Sequence, residues 1–395
     1  MIMRKLSLLV ATVVATSFLH AQDFTLGADI SWETEMEAKG YSFANAQGEA
    51  RECTALMKEL GLNAVRLRVW VNPADGHCGK ADVLAKAKRA QEAGMDVMID
   101  FHYSDSWADP GKQNIPAAWA SHTYQQMLDD VASHTKDVLS FLKENGISVR
   151  WVQVGNETSN GLLWTVGQAD KNPAQYAGFI DAGYGAVKEV CPEALVIVHL
   201  DNGFNNGLYK WNLGILKDNG ARFDVVGMSL YPYSAVEWNN LKDTETAVQQ
   251  CIDNINWVWS TYGVPSMIVE TGMKVAKPDE GKQLLTLLLN SARAKTEGHC
   301  LGVMYWEPEA PSGYNGGYDM GAFTADAKKV CRPTAIMEAF TEAALSAVRG
   351  NTLASQAEVA YDLQGRPLAA GTTACPMQHP GVIVTSGGQK LLTHP

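Results

Sequence analysis

Two glutamates in this chain stand where acid–base and nucleophilic work is possible. Glu157 closes Gln153-Val154-Gly155-Asn156-Glu157, and Glu270 follows Met267-Ile268-Val269. Two carboxyl groups meeting across one sugar ring are what glycoside hydrolysis needs. One donates a proton to the leaving oxygen, and the other attacks the anomeric carbon or activates a water. A separation of about 5–5.5 Å gives retention and about 6.5–9.5 Å gives inversion. A glutamate in a strand is usually a solvated edge residue, but each of these two ends an apolar run. Other polar side chains end similar runs: Asp29 and Ser31; Arg66 and Arg68, followed by Trp70; Asp100 and His102, followed by Tyr103, Asp105, Trp107 and Asp109; His199 and Asp201; Ser229, Tyr231 and Tyr233; Tyr305, Trp306 and Glu307. The plain alternatives are satisfied core histidines for His102 and His199 and a structural ion pair for Arg68. With Asp100, Asp105 and Asp201 the two histidines could instead hold a metal, but the first run has no His-x-His pair, and no metal is expected.

These residues need a frame that brings distant strand ends together. Apolar runs fall at 25–30, 64–69, 96–101, 149–155, 195–200, 225–230, 266–270 and 301–306. Helical patterns lie between them, for example 50–60, 80–93, 123–144, 173–190, 244–262 and 281–295, and Gly61, Gly94, Gly146 and Gly263 punctuate the joins. Strand and helix alternating eight times predicts an α/β fold, a (β/α)8 TIM barrel, whose functional residues gather where the strands end. A doubly wound open sheet is the rival. It lacks a Gly-rich phosphate turn after the first run, and the count reaches eight. Strands four and seven then face each other across the barrel mouth, which brings Glu157 toward Glu270.

The chain has 395 residues, 46% hydrophobic and 19% charged, with a formal charge of −11. That composition suits a packed globular protein, and the acidic balance argues against a nucleic-acid partner. Residues 1–21 read as a signal peptide. Arg4 and Lys5 precede a short apolar stretch, and Leu19-His20-Ala21 offers a cleavage site. The stretch is short for a membrane anchor, and no later segment is apolar enough to span a bilayer. An exported protein is expected, periplasmic, cell-surface or secreted, and a monomer. Seven cysteines follow, Cys53, Cys78, Cys191, Cys251, Cys300, Cys331 and Cys375, with no C-x-x-C spacing. Export permits disulfides, with Cys53–Cys78 the pairing to test and buried free thiols the alternative. Residues 22–345 form the expected catalytic domain. Residues 346–395 change texture: 351–356 is polar, and 359–363 and 381–385 read as short strands between Gly- and Pro-rich turns. The tail resembles those of exported Bacteroidetes proteins, so a small β appendage or sorting tail is expected.

The motifs narrow the chemistry. Gly27-Ala28-Asp29-Ile30-Ser31, Arg66-Leu67-Arg68-Val69-Trp70, Asp100-Phe101-His102-Tyr103-Ser104-Asp105-Ser106-Trp107-Ala108-Asp109-Pro110, Gln153-Val154-Gly155-Asn156-Glu157 and Tyr305-Trp306-Glu307-Pro308 together resemble the endo-β-1,4-galactanases of glycoside hydrolase family 53. The resemblance runs over about residues 27–345. It implies an endo-acting, retaining hydrolase of β-1,4-galactan, the polysaccharide of type I arabinogalactan and pectin side chains. Glu157 would be the general acid/base and Glu270 the nucleophile. Asn156 would bond the sugar 2-hydroxyl. Asp29, Asp100, His102 and His199 would shape the pocket of the reacting sugar. The nucleophile must stay ionised and needs donors, and Arg66 or Arg68 on the second strand, with Tyr231, are candidates to supply them. Trp70, Trp107, Trp119 and Trp306 are candidates to stack on sugars, with at least one expected in the core. A β-mannanase or β-glucanase of the same clan, or a glycan-binding barrel without turnover, are the alternatives. Some bacterial galactanases bind calcium in a long loop after the seventh strand. Here 271–281 is short and poor in clustered oxygen ligands, so no calcium, and no cofactor of any kind, is expected.

Overall fold

The computed structural model describes residues 24–355, 381–384 and 390–393. Eight parallel strands close into a barrel: β1 (Thr25–Asp29), β2 (Ala64–Val69), β3 (Asp96–Phe101), β4 (Val149–Val154), β5 (Leu195–Leu200), β6 (Val225–Leu230), β7 (Ser266–Thr271) and β8 (Cys300–Trp306). Each pairs with its neighbours in chain order, and β8 pairs with β1. The strands are near-continuous apolar runs because helices cover the outside while the inside is filled by their own side chains. Ala64, Met98, Trp151, Ile197, Val225, Met267, Val269 and Met304 fill the interior as one buried cluster. Above that apolar plug the inward positions turn polar. The register sets Asp29 beside Arg66 and Arg68 beside Asp100.

The main helices are α1 (Cys53–Glu59), α2 (Lys80–Glu92), α3 (Tyr124–Glu144), α4 (Pro173–Val190), α5 (Asn206–Asp218), α6 (Thr244–Tyr262), α7 (Pro278–Ala294) and α8 (Glu338–Ser355). Helix α3 shows the local logic. Thr123 and Gln126 close a capping box at its start, and Met127, Val131, Thr135, Val138 and Leu142 repeat at three- and four-residue spacing on its buried face. Ala50 and Arg51, expected to be helical, instead pair as a strand with residues 43 and 44. The reason is Glu52, whose carboxylate accepts the amides of Thr54 and Ala55 and so starts α1 at Cys53. That short pair belongs to a four-stranded sheet with Phe323–Ala325 and Val330–Pro333, which the sequence did not foreshadow.

The Cys53–Cys78 disulfide is not formed. Both thiols are buried and free. Their surroundings differ: Cys53 lies among Glu33, Glu52 and Glu309, whereas Cys78 lies beside Arg68 and Lys86. Cys191, Cys251, Cys300 and Cys331 are also free, and Cys375 lies outside the described residues.

The chain divides into two compact units, one ending at Phe340 and one running from Thr341 to Pro395. In the second, Gly381–Val384 pairs antiparallel with Lys390–Thr393. The expected leader at 1–21 and the expected strand at 359–363 lie outside the described residues. Among the described residues, no helix is long and apolar enough to cross a membrane.

Candidate active site

The C-terminal strand ends surround a cleft of about 460 Å³ lined by Trp32, His102, Trp107, Ala108, Asp109, Asn156, Glu157, Tyr231, Glu270, Trp306, Asn315 and Tyr318. Beneath it lies a charged layer centred on Arg66, which is 1% exposed. Its Nη1 meets Asp29 Oδ2 at 2.7 Å, and its Nη2 meets Asp100 Oδ2 and Glu270 Oε1, each at 2.9 Å. The same Nη2 donates to Asn156 Oδ1 at 2.8 Å, and Nε reaches Gln153 at 3.3 Å. A rigid five-donor fork suits this task, because it touches several acceptors that hold each other apart.

The two glutamates reach the cleft by different backbone devices. Glu157 follows a break at Gly155, where φ is +82° and an added Cβ would come within 2.5 Å of Thr158 Cγ2. Glu157 itself has φ of +44°, which is uncommon for a residue with a side chain. Its amide donates to His199 Nδ1 at 3.2 Å, and Gln113 Nε2 binds the carbonyl of Asn156 at 2.8 Å, which holds this turn. Glu270 depends on a bulge. Met267 and Val269 both belong to the interior cluster, so plain alternation would point residue 270 outward. The register between β6 and β7 passes from Met228↔Ile268 to Ser229↔Glu270, and the extra residue re-aims Glu270 inward.

Their electrostatic settings are unequal. Glu270 accepts from Tyr231 Oη at 3.0 Å as well as from Arg66. Among the described residues, Glu157 Oε1 accepts only the Ser229 hydroxyl, at 2.7 Å. Burial raises both carboxyls. It lifts Glu157 well above its usual range, helped by the charges of Glu270 and Asp201. It lifts Glu270 to about 7, with the Arg66 guanidinium and the Tyr231 phenol pulling back. Both carboxyls are lifted, Glu157 further than Glu270, so Glu157 is the one that holds a proton more readily. His102 is buried and held neutral. Its Nε2 meets Asp100 Oδ2 at 3.0 Å, while its Nδ1 takes the Ala108 amide at 3.1 Å, and burial lowers its proton affinity.

Of the residues expected at the site, His102, Trp107, Asn156, Glu157, Tyr231, Glu270 and Trp306 line the cleft. Arg66, Asp100 and His199 lie directly behind them, bonded to Glu270, His102 and Glu157 of the lining, and Asp29 lies one contact further back, on Arg66. Arg68 sits apart from Glu270. Its Nη1 pairs with Glu307 at 3.0 Å and its guanidinium lies 4.2 Å from the Trp107 ring, where it props the aromatic wall. Trp70 packs edge-on to Trp107 at 5.4 Å. Trp119 is 6% exposed and packs on His134 in the core.

Trp32, Asn315 and Tyr318 complete the cleft without having been singled out. Trp32 meets Trp306 at 5.0 Å, and Tyr318 meets Trp306 at 4.9 Å. Trp32 follows Asp29 by three residues, a spacing that could have revealed it. Asn315 and Tyr318 come from an irregular loop after β8 and carry no periodic signal. Glu309 was also passed over. It is fully buried, and the neighbouring Glu307 carboxyl raises its proton affinity beyond what burial does. Among the described residues, no group of three His, Cys, Asp or Glu side chains is arranged to hold a metal ion. The arrangement presents two carboxyls of unequal hydrogen-bond support to a cleft walled by aromatic rings.

Comparison with known proteins gives consistent likenesses. The signature of Glycosyl hydrolase family 53 matches residues 25–287. A probable arabinogalactan endo-beta-1,4-galactanase A of Neosartorya fischeri is 33% identical over 305 residues, 71% of this chain and 83% of its own. An arabinogalactan endo-beta-1,4-galactanase of Thermothelomyces thermophilus is 32% identical over 305 residues, 71% of this chain and 88% of its own. A solved fungal beta-1,4-galactanase superposes with a TM-score of 0.71 at 28% identity, covering 80% of this chain and 98% of the other.

Proposed function

Because the chain belongs to glycosyl hydrolase family 53, we propose that it is an endo-acting β-1,4-galactanase that cleaves the galactan of arabinogalactan and pectin side chains with retention. The observation that carries this reading is the unequal support of two carboxyls in one cleft. Among the described residues, Glu270 is held by Arg66 and Tyr231, and Glu157 by the Ser229 hydroxyl alone.

In the first step an oxygen of Glu270 attacks the anomeric carbon. The bond from that carbon to the leaving oxygen breaks as Glu157 gives that oxygen its proton. The product is a galactosyl ester of Glu270 and a shortened chain. In the second step a water attacks the same carbon and loses a proton to the Glu157 carboxylate. The ester bond breaks, and the original protonation is restored. Asn156 spends its amide oxygen on Arg66 and one amide hydrogen on Ala108, leaving the other hydrogen for a sugar hydroxyl. The faces of Trp107 and Trp306 suit the C–H faces of galactose.

Residues 1–21 direct export to the periplasm, cell surface or medium. Residues 22–345 are the catalytic domain, which works as a monomer, and 346–395 form an appendage or sorting tail. Release of reducing ends from linear potato galactan tests the assignment. Glu270→Gln is expected to abolish it, with wild-type products first appearing as the β-anomer by NMR. Near-normal activity of the variant, or an α-anomer, overturns the reading.

A further inference from the structure

Behind Glu157 lies a line of donors whose direction is fixed by the main chain. His199 is fully buried on β5, and Ser229, on β6, is 2% exposed. His199 Nδ1 receives the Glu157 amide at 3.2 Å and lies 3.0 Å from the Gln153 amide nitrogen. Both are N–H donors, so Nδ1 must accept and carries no proton. The carboxamide oxygen of Asn156, 3.0 Å away, is already supplied by Arg66 and Gln153. A neutral imidazole has one hydrogen, which must then sit on Nε2. Burial and the neighbouring Arg66 charge keep the ring neutral.

The rest of the line follows from counting hydrogens. His199 Nε2 lies 2.8 Å from Ser229 Oγ and donates to it. The single hydroxyl hydrogen of Ser229 is thereby turned toward Glu157 Oε1, 2.7 Å away. An oxygen that accepts this bond cannot hold the acid proton in the same direction. We propose that His199 and Ser229 are positioning residues that confine the acid proton of Glu157 to Oε2, the oxygen turned to the cleft, and that brace the Glu157 carboxylate once the proton has left. Ser229 is not among the cleft-lining residues whereas Glu157 is, which places Oε1 on the wall side. No proton travels along the line. It sets a direction and stabilises the ionised form, because a hydrogen bond to a charged acceptor is roughly twice as strong as one to a neutral acceptor.

This inference rests on Glu157 being the acid/base, and the experiment separates the two. Wild type, Ser229→Ala and Glu157→Ala are compared on linear galactan, whose leaving group needs a proton, and on a 2,4-dinitrophenyl β-galactobioside, whose leaving group does not. Ser229→Ala is expected to lose about tenfold in kcat/KM on galactan and less than about twofold in the first step on the dinitrophenyl substrate. Its alkaline limb should move up by about one pH unit, since the lost bond favoured the ionised carboxyl, and one unit corresponds to tenfold in that equilibrium. Equal losses on both substrates with an unmoved alkaline limb overturn the positioning role while leaving Glu157 in place. Equal losses for Glu157→Ala on both substrates overturn the acid/base reading itself. In the intact wild-type protein, nitrogen-15 NMR should find the His199 ring protonated at Nε2 only, and protonation at Nδ1 refutes the line regardless of how the variants fold.

Discussion

Replacing Tyr231 by Phe removes one hydrogen bond from the proposed nucleophile and nothing else of its shape. The phenol donates to Glu270 Oε2 at 3.0 Å, and Arg66 continues to hold Oε1 at 2.9 Å. A hydrogen bond to a charged group contributes about 1.5–3 kcal/mol. At about 1.36 kcal/mol per pH unit this corresponds to roughly 1–2 units of proton affinity. Tyr231 lines the open cleft, so water takes part of the place of the lost donor, and the lower end, about one unit, is expected. The sign follows from the chemistry. The phenol favours the ionised carboxyl, its loss raises a proton affinity already lifted to about 7, and only the ionised form attacks. The acidic limb of kcat/KM should therefore move up by about one pH unit, with an extra loss of about tenfold on the acidic side. Initial rates on linear galactan from pH 4 to 10 measure this, beside a thermal melt of each variant. An acidic limb unmoved in a variant that folds normally would refute the claim that Tyr231 tunes Glu270.

Two further perturbations probe buried carboxyls outside the catalytic pair. Arg68→Leu strands Glu307, whose carboxylate is fully buried and pairs with Arg68 at 3.0 Å; it should cost about 3–5 kcal/mol in urea unfolding, and a loss under about 1 kcal/mol would show that the pair does not support the fold. Glu33 is buried, among the described residues its Oε1 has no hydrogen bond, the Arg89 guanidinium being 3.7 Å away, and burial raises it from 4.5 to about 8. A carboxyl raised in the folded state favours folding fully only below its unfolded value, and that contribution is lost as pH rises toward the folded value. Glu33→Gln should therefore leave the melting temperature nearly unchanged at pH 4.5 and raise it progressively up to pH 8, and a pH-independent difference would count against the buried-acid account.

Much of this molecule is written locally. The eight strands could be located from their apolar runs, because a strand covered on both sides must be apolar along its length, and Gly and the capping residues mark where it stops. Glu157, Arg66, His102 and His199 could be chosen from sequence because polar residues at the ends of such runs have no place in the core except the mouth. The placement of Ala50 and Arg51 and the free thiols of Cys53 and Cys78 were not legible, since strand pairing and thiol proximity are contacts between segments distant along the chain.

The sequence alone determined the family resemblance, the barrel and the pair of glutamates, because each depends on residue type and short-range order. Tertiary structure alone decided which way those glutamates point and what holds their protons. Alternation along β7 would have turned Glu270 away, and only the slipped register against β6 brings it in. By sequence Arg66 and Arg68 are equal candidates to hold the nucleophile; Arg66 meets Glu270, and Glu307, 239 residues on from Arg68, claims Arg68. Ser229 and His199 matter through hydrogens aimed across two strands. The physical reason is common to all three. Hydrogen bonds and charge pairing act through space over a few ångströms, and the distances that govern them exist only after the cylinder has closed.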